Sequence, residues 1–217
     1  MPRDAPDRVM RVVLTRELIV HTAVELVERA GPDALSMRAV GAELGVSAMA
    51  AYRHVPSRDA LVEGVAEYVM GAIDLPDDEC EDWREDARRL LRAFRAAAAE
   101  YPRSLALVLE GRISIPVRLR TVERAFAVCA RAGLEGPEAV RAVHAFMAYA
   151  LGSQLRESGM RRALRSLDHT EALRLLDPGR FPHVAALPGE LLTEDSDADF
   201  EFGMELLLSA IERRLKA

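Results

Sequence analysis

The stretch SMRAVGAELGVSAMAAYRH, Ser36 to His54, limits what this chain can fold into more than any other. Ser36 and Ser47 each stand just before a short run of helix formers. A serine hydroxyl there accepts a bond from a free first-turn N–H, so both read as helix N-caps. Gly41 leaves room for two helices to cross closely, and Gly45 supplies the left-handed residue that a tight turn requires. Val40, Leu44, Val46, Ala51 and Val55 fall on one side and predict a shared core. Ser47, Ala48, Met49, Ala50, Tyr52 and Arg53 remain outside on the second helix. The pattern is a helix-turn-helix, whose second helix fits a major groove with its N-terminal residues against base edges. A plain helical hairpin is the alternative, but so short a second helix adds little apolar bulk to a core.

Helical periodicity continues along the rest of the chain, without period-2 alternation or an Asn-Gly or Asp-Gly turn. The fold class is therefore all-α. The first helix is expected from Thr15 to Ala30, buried through Ile19, Ala23, Leu26 and Val27, and ended by Gly31-Pro32. Two short helices, Met37 to Leu44 and Ser47 to His54, precede a fourth from Ser57 to Ile73. Longer helices follow over 83–101, 102–111, 116–132 and 137–158, with Gly159 just past the end of the last. Residues 161–177 hold one or two short helices, 178–189 are irregular, and the last helix runs from Ala198 to Leu215. Residues 1–13, with Arg3, Arg8 and Arg11, form a loose arm, and the acidic stretch 74–82 a linker. Two domains are expected, 1–73 with the fourth helix as connector, and 74–217.

The formal net charge of −6 excludes a protein that coats nucleic acid by bulk positive charge. It is unevenly placed, however. Residues 1–58 hold eight arginines against seven carboxylates, while the remainder is distinctly acidic. A small, slightly basic reading head on an acidic body is compatible with site-specific binding, and two copies would double its phosphate contacts. Charged residues interrupt every apolar run before the roughly 20 positions a membrane span needs, so no membrane is expected. The N-terminus lacks a signal peptide's apolar segment, which points to the cytoplasm. Cys80 and Cys129 cannot build a disulfide framework, and Cys129, within AFAVCA, reads as a small buried apolar residue.

The run LSMR over 35–38, LGVS over 44–47 and AYRHVPSR over 51–58, with Leu61 after it, resembles the DNA-binding domain of the TetR family of bacterial transcription regulators. Trp83 opening the fifth helix, Leu151-Gly152 late in the eighth and FEFGMELLL over 200–208 are similar to the tetracycline-repressor branch. The resemblance covers nearly the whole chain. It implies a three-helix helix-turn-helix DNA-binding domain plus a larger helical ligand-binding and dimerisation domain, acting as a ligand-responsive repressor on a palindromic double-stranded DNA operator. It places Met37 and Arg38 near phosphates and one base at the start of the second helix. Ala48, Met49, Ala50 and Arg53 fall on the base-reading face, and Tyr52, His54 and Arg58 at phosphate-contacting positions. Arginine pairs in bidentate fashion with guanine, so Arg53 is the candidate for direct readout. The alanines and Met49 offer apolar contacts, for instance to a thymine methyl.

In the second domain, Val140, Val143, Met147 and Leu151 line up at helical spacing, as do Met204, Leu207, Ile211 and Leu215, widened by Leu206 and Leu208. Either pair of stripes is core, or each helix also faces a second subunit in a four-helix bundle. The resemblance favours a homodimer, with Val140, Val143, Leu151, Met204, Leu207, Ile211 and Leu215 at its interface. It also implies an effector pocket, for which Leu90, Phe94, Val108, Arg112, Phe126, His144, Met147 and Gln154 are candidates. Tetracycline-binding members hold a magnesium–drug chelate with a histidine late in the sixth helix. The matching residues Leu107 to Glu110 include none, so a small apolar or amphipathic organic effector is expected, with Arg112 available to an anionic group. No metal or cofactor is implied. The competing readings are a helical ligand-binding or catalytic protein without regulatory DNA binding, and an effector-free architectural protein. No G-x-S-x-G, H-E-x-x-H, Walker or dinucleotide motif supports catalysis.

Overall fold

The computed structural model describes residues 13–75, 80–110, 115–166, 178–187 and 195–216, which hold helices and no strand. In chain order the helices are α1 (Arg16–Ala30), α2 (Met37–Glu43), α3 (Ala48–Tyr52), α4 (Arg58–Gly71), α5 (Trp83–Glu100), α6 (Pro102–Glu110), α7 (Ile115–Arg131), α8 (Gly136–Ser166), α9 (Pro182–Ala185) and α10 (Ser196–Leu215). The expected arm, apart from Val13, and most of the expected short helices over 161–177 lie outside the described residues.

Two compact units emerge, one of residues 1–72 with 101–117, the other of 73–100 with 118–217. The first therefore takes in α6 as well as α1–α4, an addition that the division at residue 73 leaves out. The reason is packing: α6 lies against both α1 and α4.

In the first unit α1, α2, α3 and α4 each start on a hydroxyl cap. Thr15 Oγ1 accepts from Leu18 N at 3.2 Å, and Ser36 Oγ from Ala39 N at 3.1 Å. Ser47 Oγ accepts from Ala50 N at 3.2 Å, and Ser57 Oγ from Ala60 N at 3.0 Å. Such caps contribute ~1 kcal/mol each. The core is aliphatic, with Ile19, Val27, Val40, Val55, Leu61, Val65 and Val69 fully buried. Each such side chain stabilises the unit by about 1.5–3 kcal/mol through burial.

The second unit packs α5, α7, α8 and α10 around two apolar clusters. One joins Ala87, Leu91, Val128, Ala150, Phe200, Met204 and Leu208. The other joins Cys129, Ala132, Leu134, Ala139 and Val143, and Trp83 packs against both. Burial pushes the Cys129 thiol up, in keeping with an inert core residue. α8 is two turns longer than its sequence pattern suggests, because Gly159 lies inside it rather than beyond its end. A lone glycine costs a helix only about 1 kcal/mol, and no proline follows to stop the chain.

A second set of forces holds α10 to α5. Arg84, Arg88, Arg92 and Arg95 occupy one stripe of α5 and meet Glu212, Glu205, Glu201 and Asp197 of α10 in reverse order. Deeper in the unit, Asp86 of α5 is 1 % exposed between Arg124 (2.6 Å) and Arg131 of α7. A carboxylate so far from water is tolerated only when paired.

Candidate nucleic-acid interface and effector site

The turn between α2 and α3 follows from its glycines. Gly45 N–H donates to Ala42 O (3.2 Å) and Val46 N–H to Gly41 O (2.8 Å), closing α2 in a Schellman motif with Gly45 at φ +66°. A Cβ on Gly41 would stand 2.9 Å from Val46 O, so the backbones approach as closely as the sequence requires. Val40, Ala51 and Val55 then bury completely, while Leu44 and Val46 are half-buried. With Ala51 inward, the opposite side of α3 faces solvent. Met49 is 74 % exposed and Tyr52 40 %, and Ser47, Arg53 and His54 are exposed. Ala48 and Ala50 are half-buried, leaving their methyl groups flush with that surface. Arg38, in the first turn of α2, and Arg58, opening α4, are exposed too.

Met37 departs from this picture. Its side chain is buried at 3 % exposure, because it shares the inward stripe of α2 with Val40 and Gly41. It belongs to the core of the first unit and leaves almost nothing at the surface. The remaining candidates present an apolar patch at the start of α3 with cationic and hydroxyl groups around it. Methyl and thioether groups suit base edges, and arginine, tyrosine and histidine suit phosphates and guanine.

The effector candidates are more scattered. Leu90 and Phe94 of α5 are half-buried, with Phe94 against the first apolar cluster and Phe126 of α7 against the second. Gln154 of α8 is half-buried, and its Oε1 is enclosed without a hydrogen-bond partner. Val108 is buried on α6, which belongs to the first unit. His144 and Met147 are exposed. The inward stripe of α8 runs through Val143 and Ala150, so neighbours of that stripe turn out to solvent. Arg112 lies outside the described residues.

Sequence reasoning missed a cleft of about 370 Å³ between α8 and the start of α10, lined by Ala148, Tyr149, Gly152, Ser153, Arg156, Asp199 and Phe200. Its polar groups are engaged in holding the helices together. Tyr149 Oη donates to Phe200 O at 2.6 Å, Ser153 Oγ to Ala150 O at 2.8 Å, and Arg156 pairs with Asp199 at 2.7 Å. Burial raises the Tyr149 phenol, which therefore remains a donor.

The interface candidates also divide. Val143 and Met204 are buried in the chain's own clusters, at 7 % and 0 % exposure, and present nothing to a partner. Leu151, Leu207 and Ile211 are half-buried, and Val140 and Leu215 are exposed. Besides Leu215 at the end of α10, the large apolar side chains left outside on these two helices are Val140, Met147 and Leu155 on α8, and Phe202 and Leu206 on α10. Those on α8 stand at i, i+7 and i+15 and those on α10 at i and i+4, so each set is one helical stripe. Among the described residues no helix is long and apolar enough to cross a membrane, and no cluster of three metal-ligating groups occurs.

Residues 19–65 match the family model described as "Bacterial regulatory proteins, tetR family", and residues 75–215 match "Tetracyclin repressor-like, C-terminal domain". The chain is 28% identical to the HTH-type transcriptional repressor DrrR1 of Streptomyces coeruleorubidus, over 95% of this chain and 80% of that one. It is 28% identical to the class G tetracycline repressor protein of Vibrio anguillarum, over 92% and 94%. Among solved structures it superposes on ActR from Streptomyces coelicolor in complex with actinorhodin, with a TM-score of 0.75 and 27% identity over 92% and 96% of the chains. These relatives are regulators of transcription, not enzymes. From α1 to α10, the chain belongs to the TetR family of bacterial transcriptional regulators.

Proposed function

We propose that this chain is a ligand-responsive transcriptional repressor that binds a palindromic operator as a homodimer and is released by a small organic effector. The exposed face of α3 carries this reading: Met49, Tyr52 and Arg53 stand out from a helix held from behind by Ala51 and Val55. Arg53 reads a guanine, and Met49 with Ala48 and Ala50 packs against a thymine methyl. Ser47, Tyr52, His54, Arg38 and Arg58 fix the head on phosphates.

The homodimer forms through the outer stripes of α8 and α10, with Met147, Leu155, Phe202 and Leu206 joining Val140, Leu151, Leu207, Ile211 and Leu215. A patch of this kind is what an isologous interface buries. A two-fold dimer places its α3 helices on successive major grooves, about 34–36 Å apart. The effector is apolar or amphipathic and lies against Leu90, Phe94, Phe126 and Gln154 in the second unit. Two relatives support this reading, the DrrR1 repressor and ActR in complex with actinorhodin. Effector and operator then oppose one another by the same factor.

Gel-shift binding to the DNA upstream of the chain's own and neighbouring genes tests the proposal. A retarded complex that survives excess unrelated duplex is expected, and equal competition by both duplexes contradicts site-specific repression. Phe202→Glu combined with Leu206→Glu should yield a monomer by light scattering, and an intact dimer would move the interface elsewhere.

A further inference from the structure

The sequence holds a single glutamine, Gln154, and no asparagine, so Gln154 is its only side-chain carboxamide. It stands on α8 one turn after Ala150 and one turn before Glu157, which are buried at 4 % and 6 % exposure. Ala150 belongs to the first apolar cluster. Beyond it the inward stripe of α8 turns polar. Glu157 is answered from α5, where Arg95 approaches it at 3.2 Å. Arg95 also pairs with Asp197 of α10 at 2.8 Å and lies over the Phe200 ring, 4.7 Å from its centroid. Gln154 Oε1 is enclosed too, yet among the described residues no group donates to it.

Buried polar atoms in folded proteins are nearly always paired, and an exception calls for a reason. Methionine or leucine would fill this helical position equally well and leave no acceptor without a partner. The missing donor therefore has to come from outside the chain. Its charge is constrained by Glu157, because residues three apart on a helix are neighbours. An anion beside Gln154 would face that buried carboxylate, while Arg95 is already shared between two carboxylates and a ring. A neutral donor meets no such repulsion. We infer that Gln154 is the specificity-determining residue of the effector site, and that the effector is a neutral, largely apolar molecule whose hydroxyl or N–H donates to Gln154 Oε1. The inference rests on the effector reading above and narrows its ligand class.

The full-length chain, isotope-labelled at its glutamine side-chain carbonyl, tests it, since only Gln154 then gives a signal. The probes are β-naphthol, its methyl ether and β-naphthoate, with the matching anthracene set, so that one ring system is offered as donor, acceptor and anion. In equilibrium dialysis the phenols should bind at least about tenfold tighter than the ethers and carboxylates. The phenols should move the labelled carbonyl line downfield, and the ethers should not. Gln154→Met should melt no lower than wild type and bind phenol and ether alike. If Gln154→Met does not fold, Gln154→Leu replaces it, and the labelled wild type carries the test if neither folds. Ethers or carboxylates bound as tightly as phenols, a carbonyl line unmoved in the phenol complex, or a phenol preference that survives in Gln154→Met overturns the inference. So does a lower melting temperature for ligand-free Gln154→Met, which would reveal a partner within the chain. If no probe binds the wild-type chain, the effector reading itself fails.

Discussion

Gly41→Ala separates steric necessity from helix propensity. In an open helix this change stabilises by about 1 kcal/mol, because glycine loses more backbone entropy on ordering. Here the new Cβ would lie 2.9 Å from Val46 O and 3.4 Å from Ala48 N. Ordinary C···O contacts lie at about 3.3–3.6 Å, so the turn must retreat by roughly 0.4–0.7 Å. Both obstructing atoms are backbone, fixed between Gly45 at φ +66° and the Ser47 cap, and no side chain can swing aside. Overpacking at such a site costs about 1–3 kcal/mol. Set against the propensity gain, the net loss is on the order of 1 kcal/mol, or about 2–4 °C in a chain of this size. The displacement falls on Ser47 and Ala48, where α3 begins, so DNA affinity should drop further than the melting change alone accounts for. Gly159→Ala is the control, because its Cβ would meet nothing within 4 Å, and it should stabilise by about 1 kcal/mol. Calorimetry and fluorescence anisotropy on a bound duplex measure both quantities. A Gly41→Ala chain that melts no lower than wild type and binds DNA as tightly would refute the close-crossing argument.

Other outcomes follow from the same geometry. Arg53→Ala should cost about 1–3 kcal/mol at one base pair and relax preference there, whereas Tyr52→Phe should weaken binding to all sequences alike; competition with single-substituted duplexes distinguishes them. Asp86→Ala removes a fully buried carboxylate from beside Arg124 and Arg131 and should destabilise the second unit by about 3 kcal/mol, and a urea midpoint that hardly moves would contradict its pairing. Hydrogen bonds from Arg88 and Arg92 hold the Glu205 and Glu201 carboxyls below the usual range. Their ion pairs are therefore fully present above the ordinary carboxylate range, and their stabilisation fades as pH falls through the lowered values. Melting curves across that window should show a shallower acid slope for Glu205→Gln than for wild type.

The reading head was the most legible part of the chain, because its determinants are local. Four hydroxyl caps, the Gly41 crossing and the Gly45 turn each act within a few residues of their place in the sequence. Inward and outward faces of the longer helices were harder to separate. α8 is apolar on more than one side, so spacing alone could not tell Val143, which is buried, from Met147, which is exposed. Met37 and Met204 look alike as sequence signals to residues at a surface, yet both fill the chain's own cores. The α5–α10 ladder needs two helices 100 residues apart, but a signal existed: arginines at 84, 88, 92 and 95 and carboxylates at 197, 201, 205 and 212 each form one stripe. The attachment of α6 to the head rests on its packing against α1 and α4, partners distant in sequence that leave no local pattern to read.

Selection of duplexes from a random library by the full-length chain tests site-specific operator binding most directly. The expected result is an inverted repeat bound by two chains, with half-sites centred about one helical turn apart and a guanine that loses its importance in Arg53→Ala. Recovery of unrelated sequences, bound equally well and released alike by modest salt, would contradict a repressor that reads its site through α3.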